Sequence, residues 1–228
     1  MSGHLRVRRL GTVAYDVARE LQEHARLRAE PWLLLLEHPH VYTLGVRARP
    51  EHLLVEPVTV GATVARADRG GDVTYHGPGQ LVGYAIVDVP FVQNAIPAHV
   101  HRVEAVVIGA LCDLGVVAAG RRNGFPGVWI GRRKVAAVGV RVTRSRSMHG
   151  FAINVAPDLR MFDHIVPCGI RDSTVTSLEA EGVDTAIDDV ADAIAAHAAR
   201  RWGSGQVDDR DMDASALSAE LSGTATRA

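Results

Sequence analysis

Lysine is almost absent from this chain of 228 residues. Of its 25 lysine and arginine residues, only Lys134 is a lysine. A guanidinium stays protonated near neutral pH, whereas an ammonium group titrates when it is desolvated. A chain that uses arginine for its other cationic positions does not need Lys134 for solubility, so this residue is a candidate for proton transfer. From the residue alone, a lysine that is merely exposed remains the alternative.

Cysteines and long apolar segments are also scarce. Cys112 and Cys168 are the two cysteines, which is too few for a disulfide framework in a chain of this size and favours the reducing cytoplasm. The most apolar run, residues 32–36, is five residues long, whereas a membrane span needs about 20. The N-terminus has no long apolar segment of the secretory type. We therefore expect a cytoplasmic protein that does not enter the membrane.

The net charge of −1 conceals an uneven distribution. No acidic residue lies between Asp113 and Asp158, whereas the segment from residue 179 onward has eleven acidic residues against four arginines. Nucleic-acid-binding domains usually carry an overall basic excess, so we do not expect that partner. The basic strip predicts either a solvated face or a docking surface for an acidic protein. Its members are Arg121, Arg122, Arg132, Arg133, Lys134, Arg141, Arg144 and Arg146.

The hydrophobic pattern predicts an α+β fold with a mixed sheet packed by helices, because helices and short strands interleave without regular βαβ alternation. Residues 1–202 are predicted to form a single domain. The Gly-, Ser- and Asp-rich segment 203–228 is predicted to be a disordered acidic tail. The predicted helices cover residues 12–28, 97–114 and 185–202, the last with Asp184 or Thr185 as its N-cap; the predicted strands are 32–38, 41–45, 58–66, 81–89, 127–130, 134–142 and 148–155.

A second candidate for chemistry is Cys168, in the turn-like sequence VPCGI. A thiolate is the reactive form of cysteine, and a neighbouring ammonium such as that of Lys134 stabilises it and relays protons. The N–H of Gly169 could approach an acyl oxygen. An idle turn cysteine is the alternative for Cys168 considered alone. Cys112 lies among apolar residues of a predicted helix, so we expect it to pack in the core.

A glycine-rich segment, RGGDVTYHGPGQLVGY at residues 69–84, strengthens the case for a binding site. Its glycines free many backbone N–H groups to face a ligand, and Arg69, Tyr75, His76 and Gln80 supply polar and aromatic edges. Together with EHPHVYTLG, GRRKVAAVGVRV, HGFAINV and PCGI in this order, the segment closely resembles the octanoyltransferases of lipoate biosynthesis, the lipoyl(octanoyl) transferases. The resemblance covers residues 10–202.

This resemblance implies the fold of biotin and lipoate protein ligases, a mixed sheet packed on one side by helices. It implies transfer of an octanoyl group from octanoyl-acyl carrier protein to a lysine of a lipoyl domain, such as the glycine-cleavage H protein or a 2-oxoacid dehydrogenase E2 subunit, without a cofactor or metal. The family's nucleophilic cysteine corresponds to Cys168 and its lysine partner to Lys134. The implied substrate-binding residues are Arg69, Gly70, Gly71, Asp72, Val73, Thr74, Tyr75 and His76, then Ala137, Val138 and Gly139, and finally Gly150, Phe151 and Ala152.

Two histidines and one aromatic residue extend this implied site. His76 and His149 are expected to orient substrate or to hold loops, and a direct proton role is the less favoured interpretation. Phe151 stands where we expect an aliphatic residue, which puts the preferred acyl-chain length in question.

The chemistry of these groups agrees with the resemblance. Thiolate Cys168 would exchange one thioester for another, which needs no ATP, and neutral Lys134 would accept the proton of the attacking amine. An ATP-dependent lipoate or biotin ligase is the nearest alternative. A non-catalytic acyl-binding protein and a thioesterase are further alternatives.

Overall fold

Two sheets of unequal size organise the part of the chain described by the computed structural model, residues 4–166 and 174–223. The strands are β1 (Leu5–Thr12), β2 (Trp32–Glu37), β3 (Val41–Leu44), β4 (Thr63–Arg66), β5 (Val73–His76), β6 (Gln80–Ile86), β7 (Ala119–Arg122), β8 (Phe125–Ile130), β9 (Arg133–Thr143), β10 (Arg146–Asn154), β11 (Thr174–Val175) and β12 (Val207–Asp211). The helices are α1 (Tyr15–Arg26), α2 (Ala95–Asp113), α3 (Ile187–Trp202) and α4 (Ala214–Ser222).

The large sheet is mixed, as the sequence predicted. Its order is β12-β1-β2-β6-β10-β9-β8-β7, and β11 pairs with β9. β12, β1 and β2 run parallel to one another, as do β11 and β9, whereas every pair from β2 to β7 is antiparallel. The small sheet has the order β4-β3-β5. The α+β prediction is therefore confirmed.

Helices cover both faces of the large sheet. Along β2, Leu33 and Leu35 point into the core cluster that contains α2 and α3, whereas Trp32, Leu34 and Leu36 point into the cluster that contains α1 and Leu217 of α4. A strand buried on both faces needs a continuous apolar run rather than alternation, which explains the sequence WLLLLE. The one-sided packing implied by the resemblance is therefore wrong for this chain.

Helix α2 is the element whose composition could suggest a membrane span. It has 19 residues and is apolar enough for that role by length and composition. Its residues Val103, Val107 and Leu111 are fully buried in the core cluster shared with α3 and the large sheet. The same composition is common in the core helices of folded domains, and α2 takes that position here.

The C-terminal segment differs from its prediction. Residues 207–211 form β12, which pairs with β1, and residues 214–222 form α4, so the prediction of a disordered tail is wrong for these residues. Asp208 forms an ion pair with the fully buried Arg8, and Leu217 and Leu221 pack against α1. The segment has few large apolar residues because its attachment relies on backbone pairing, charge and these two leucines.

Three smaller points also differ from the sequence analysis. β1 was not predicted, although its Leu and Val residues alternate with arginines as in a half-buried strand. The N-cap of α3 is Ala186, whose backbone N–H donates to the Asp189 carboxylate at 3.2 Å, rather than Asp184 or Thr185. Cys112 is exposed rather than part of the core.

Candidate active site

A cavity of about 760 Å³ lies where β9, β10, the glycine-rich loop and the start of α2 meet. Pockets for small ligands commonly have volumes of about 300–1,000 Å³. Every described residue that the sequence analysis assigned to the site lines this cavity, with the exception of Tyr75. Cys168 and Gly169 lie outside the described residues.

The glycine-rich loop forms one wall and is held in place mainly by its backbone. The N–H of Gly70 donates to Val140 O of β9 at 3.0 Å, and Gly71 O accepts from Arg47 N at 3.0 Å. A side chain at Gly139 would press on Gly70 O at 3.1 Å and on Arg69, so a glycine at this position of β9 lets the loop approach the sheet. Residues 69–71 and Ala137–Gly139, far apart in sequence, thus form one continuous surface.

Arg69 organises the carbonyl groups around this loop. Its buried guanidinium donates to Thr43 O at 2.9 Å and to Thr43 Oγ1 at 2.7 Å. It also donates to Gly70 O at 3.1 Å and to Asp72 O at 3.0 Å. A single planar guanidinium therefore joins β3 to Gly70 and Asp72 of the loop, a geometry that one ammonium could not reproduce.

Lys134 lies at the start of β9, where the pairing with β8 is irregular. Trp129 pairs with Lys134 but Val128 pairs with Ala136, so Val135 is an extra residue, and Val135 and Ala136 are both fully buried. Such a bulge redirects side chains, and it breaks the alternation by which the sequence grouped Lys134 with Ala136. The Lys134 side chain is partly buried, lines the cavity and places Nζ 4.7 Å from the centre of the Trp129 ring.

A buried polar chain lies behind the glycine-rich loop. Gln80 Nε2 donates to Asn154 Oδ1 at 2.9 Å and to Tyr75 O at 3.3 Å, so Gln80 Oε1 faces His76 and accepts from its Nδ1 at 2.6 Å. Burial lowers the pKa of His76 well below its usual value, and the nearby His38 and Arg69 lower it further. His76 is therefore neutral at pH 7 and acts as a hydrogen-bonding group fixed in one tautomer.

Tyr75 does not belong to the cavity wall. Its side chain is fully buried between Tyr42 and Phe162, and its hydroxyl bonds to His40 Nδ1 at 2.7 Å. Successive residues of a strand point to opposite faces, and the Tyr75 ring packs on the side opposite to His76. The Tyr75 side chain therefore lies outside the cavity wall and anchors β5.

His149 is held at the start of the third wall segment. Its Nε2 donates to Asp68 Oδ1 at 2.7 Å, and this bond is the main cause of the lowered pKa of Asp68. Asp68 also accepts from Arg141. The backbone of His149 has φ of 60°, a left-handed conformation that is uncommon for residues other than glycine, and its N–H donates to Gln22 Oε1 at 2.8 Å. These bonds fix the backbone of β10 directly before Gly150–Ala152.

Several cavity residues were not predicted from the sequence. Tyr15 at the start of α1 is buried, its hydroxyl has no hydrogen-bond partner among the described residues, and burial raises its pKa to about 12. Tyr84 bonds to His38 Nε2 at 2.7 Å, and burial lowers the pKa of His38 to about 4. Tyr84 and Asn154 could have been noticed as polar side chains within strongly apolar strands. Tyr15, Arg47 and Arg49 had no such signal.

Half of the eight residues of the basic strip form ion pairs with acidic residues of the same chain. Four of its arginines form ion pairs: Arg121 with Glu104, Arg133 with Glu181, Arg141 with Asp68, and Arg146 with Asp88. A continuous basic docking face along residues 121–146 is therefore not supported by these contacts.

Comparisons with known proteins identify the family of this chain. Residues 12–199 match the lipoyl protein ligase A/B catalytic domain family. An octanoyltransferase from Solibacter usitatus is 45% identical over 85% of this chain and 91% of its own length. One from Mycobacterium leprae strain TN is 46% identical over 83% of this chain and 84% of its own length.

The chain belongs to the octanoyltransferase family.

This family is one of acyltransferases that act in protein lipoylation, and solved structures support its fold. A lipoate-protein ligase A bound with ATP has a TM-score of 0.77 at 19% identity and covers 97% of this chain and 94% of its own. A bipartite lipoate protein ligase from Thermoplasma acidophilum has a TM-score of 0.75 at 19% identity, with coverages of 97% and 92%. A biotin protein ligase from Leishmania major has a TM-score of 0.55 at 12% identity, with coverages of 87% and 74%. The biotin and lipoate ligase fold implied by the sequence is thereby confirmed.

Proposed function

We propose that this octanoyltransferase takes the octanoyl group from octanoyl-acyl carrier protein onto Cys168 and passes it to one lysine of a lipoyl domain, with Lys134 as the proton carrier. The acceptors would be lipoyl-domain proteins such as the glycine-cleavage H protein and 2-oxoacid dehydrogenase E2 subunits. The reaction would take place in the cytoplasm and would use no ATP, cofactor or metal.

The observation that carries this proposal is the meeting of Lys134, the glycine-rich loop and two strand segments, Ala137–Gly139 and Gly150–Ala152, around one cavity. Part of the wall is apolar and suits an alkyl chain, since Val100 of α2, Val138 of β9 and Phe151 of β10 contribute to it. Another part is polar, with neutral His76 and buried Asn154. An amphiphilic acyl thioester matches these two kinds of surface.

The proposed steps conserve protons. The Cys168 thiolate attacks the thioester carbonyl of the donor, the C–S bond to the carrier breaks, and the departing carrier thiolate takes a proton from the Lys134 ammonium. The neutral amine of the acceptor lysine then attacks the new thioester and forms an amide. Lys134 takes up the proton that the amine releases, and Cys168 leaves as thiolate. The pair returns to its starting state, and amide formation from a thioester drives the second step.

The single lysine suits both halves of this cycle. As an ammonium it stabilises the thiolate, and as an amine it accepts a proton from the acceptor. An arginine could perform the first task but not the second.

The test is octanoyl transfer in the absence of ATP. The protein is mixed with octanoyl-acyl carrier protein and a purified lipoyl domain, and the mass of the lipoyl domain is followed. We expect octanoylation of one lysine at a rate that added ATP does not change. Transfer that requires ATP and free octanoate would establish a ligase and would contradict the proposal. Release of free octanoate without acceptor modification would establish a thioesterase.

A further inference from the structure

One buried indole contacts the head group of Lys134. Trp129 is 2% exposed, and its Nε1–H donates to Phe125 O at 3.0 Å, so the ring cannot turn without losing that bond. Lys134 Nζ lies 4.7 Å from the ring centre. Separations within about 6 Å place a cation in the favourable range for an aromatic face.

Gly127 provides the space that allows this approach. Its φ is 126°, a conformation that favours glycine, and a Cβ at this position would lie 3.3 Å from Lys134 Cε and 2.7 Å from Ala136 O. The methylene stem of Lys134 therefore passes close beside the bare backbone of β8 and reaches the ring two residues further along. The bulge at Val135 sets the register that pairs Lys134 with Trp129.

We propose that Trp129 is a positioning residue that holds Lys134 in its protonated, thiolate-stabilising form between turnovers. This inference rests on the proposed function of the Cys168–Lys134 pair. The negative face of an indole attracts an ammonium but not a neutral amine, so the ring favours the ammonium and restricts where Nζ lies. When Lys134 gives its proton to the departing thiolate, the attraction ends and the neutral amine can turn toward the acceptor.

Several charged groups lie on the described elements around Lys134 and Trp129. Arg122 of β7 contacts the same ring, with its guanidinium carbon 5.1 Å from the ring centre. The carboxylates around β9 in the described chain each bond to another group: Glu104 of α2 to Arg121 and the Gly127 N–H, Glu181 after β11 to Arg133 and Thr176, and Asp68 to His149 and Arg141.

The experiment varies the ring electrostatics without changing its shape. The protein has three tryptophans, Trp32, Trp129 and Trp202, and all three are replaced biosynthetically by mono-, di- and trifluorinated tryptophan. Fluorine weakens the negative face stepwise. The pH profile of kcat/KM for octanoyl transfer is measured for each protein, and a Trp129→Phe variant labelled in the same way controls for effects at Trp32 and Trp202.

We expect the basic limb of the profile, where the ammonium is lost, to move to lower pH with each fluorine, by roughly half a pH unit in total. The labelled Trp129→Phe proteins should show no such trend. Trp129→Leu should shift the limb in the same direction and lower kcat about two- to fivefold, and Trp129→Phe should recover part of both.

Two results would overturn the inference, and they are distinguishable. If wild-type protein transfers octanoyl groups but its basic limb is unchanged by fluorination, the positioning role is wrong and the proposed function stands. If wild-type protein forms no octanoyl adduct on Cys168, the proposed function fails, and the role of Trp129 fails with it. Because fluorination preserves the shape of the ring, poor folding of Trp129→Leu would not weaken the test.

Discussion

The ring of Phe151 lies directly over Gly83, its register partner on the neighbouring strand β6. A Cβ at position 83 would overlap the ring, so this ring position requires a glycine opposite it. Phe151 lines the cavity and is 3% exposed, so Gly83 supports the cavity wall from behind this ring.

Replacing Gly83 with alanine should destabilise the protein by about 1–3 kcal/mol, because the added methyl group forces the Phe151 ring out of its position in a packed core. Chemical denaturation with a circular dichroism signal measures the change. Gly120→Ala is the matched control, since a Cβ there meets nothing within 4 Å, and it should change stability by less than about 0.5 kcal/mol. Equal effects of the two substitutions would contradict the overlap.

Replacing Phe151 with leucine should move the acyl-chain preference toward longer chains, because the smaller side chain leaves room at the cavity floor. The ratio of kcat/KM for decanoyl over octanoyl donors should rise about tenfold, as one or two methylenes in an apolar pocket typically permit. Phe91→Leu serves as control, since Phe91 is 99% exposed. An unchanged ratio in Phe151→Leu would show that the acyl chain does not reach this residue.

Protonation of buried His38 should destabilise the protein in mild acid. Burial lowers the pKa of His38 from 6.5 to about 4, so the unfolded chain binds the proton more tightly than the folded chain. The stability that depends on neutral His38 is complete above pH 6.5 and is lost as the pH falls toward 4. His38→Gln keeps a donor for Val13 O and an acceptor for the Tyr84 hydroxyl. Between pH 7 and pH 5 its free energy of unfolding should fall by about 2 kcal/mol less than that of wild type.

Urea denaturation at these two pH values, with the exposed His24→Gln as control, measures the difference. Parallel pH dependence in wild type and His38→Gln would contradict the assignment.

Loss of the Glu220 charge should loosen the C-terminal segment. Glu220 accepts from Arg8 Nε at 2.9 Å and from its second terminal nitrogen at 2.7 Å, and the Arg8 side chain is 0% exposed. Glu220→Gln leaves a buried guanidinium with only part of its counter-charge and should cost about 2 kcal/mol. The exposed Asp211→Asn on β12 is the control. Hydrogen exchange of β12 and α4 should accelerate only in the Glu220 variant, and unchanged exchange would contradict this role.

The sequence predicted the parts of this fold and site that depend on local pattern. The apolar run 32–36, the helical stripe of α2 and the glycine-rich segment 69–84 each have a signal within a few residues. Lys134 was identified because it is the single lysine of the chain, and the segments 137–139 and 150–152 were identified through the family resemblance. Each of these segments lines the cavity.

The features that the sequence did not predict depend on contacts between distant residues. The bulge at Val135 depends on how β9 pairs with β8, and no local pattern indicates it. β12 and α4 are attached through Arg8, which lies 212 positions before Glu220. Tyr75 was assigned to the cavity because it lies inside the motif, but the alternation of β5 directs its ring to the other side. The nucleophilic role of Cys168 stays a prediction, since that residue lies outside the described chain.

Measuring whether Cys168 carries the octanoyl group is also the most direct test of the proposed mechanism. Wild-type, Cys168→Ser and Lys134→Arg proteins are each mixed with octanoyl-acyl carrier protein without ATP or acceptor, and their intact masses are measured. We expect one octanoyl adduct on wild type and none on Cys168→Ser. Any adduct on Lys134→Arg should not be discharged by an added lipoyl domain. A wild-type protein that stays unmodified, or an adduct that survives in Cys168→Ser, would contradict a thioester on this cysteine.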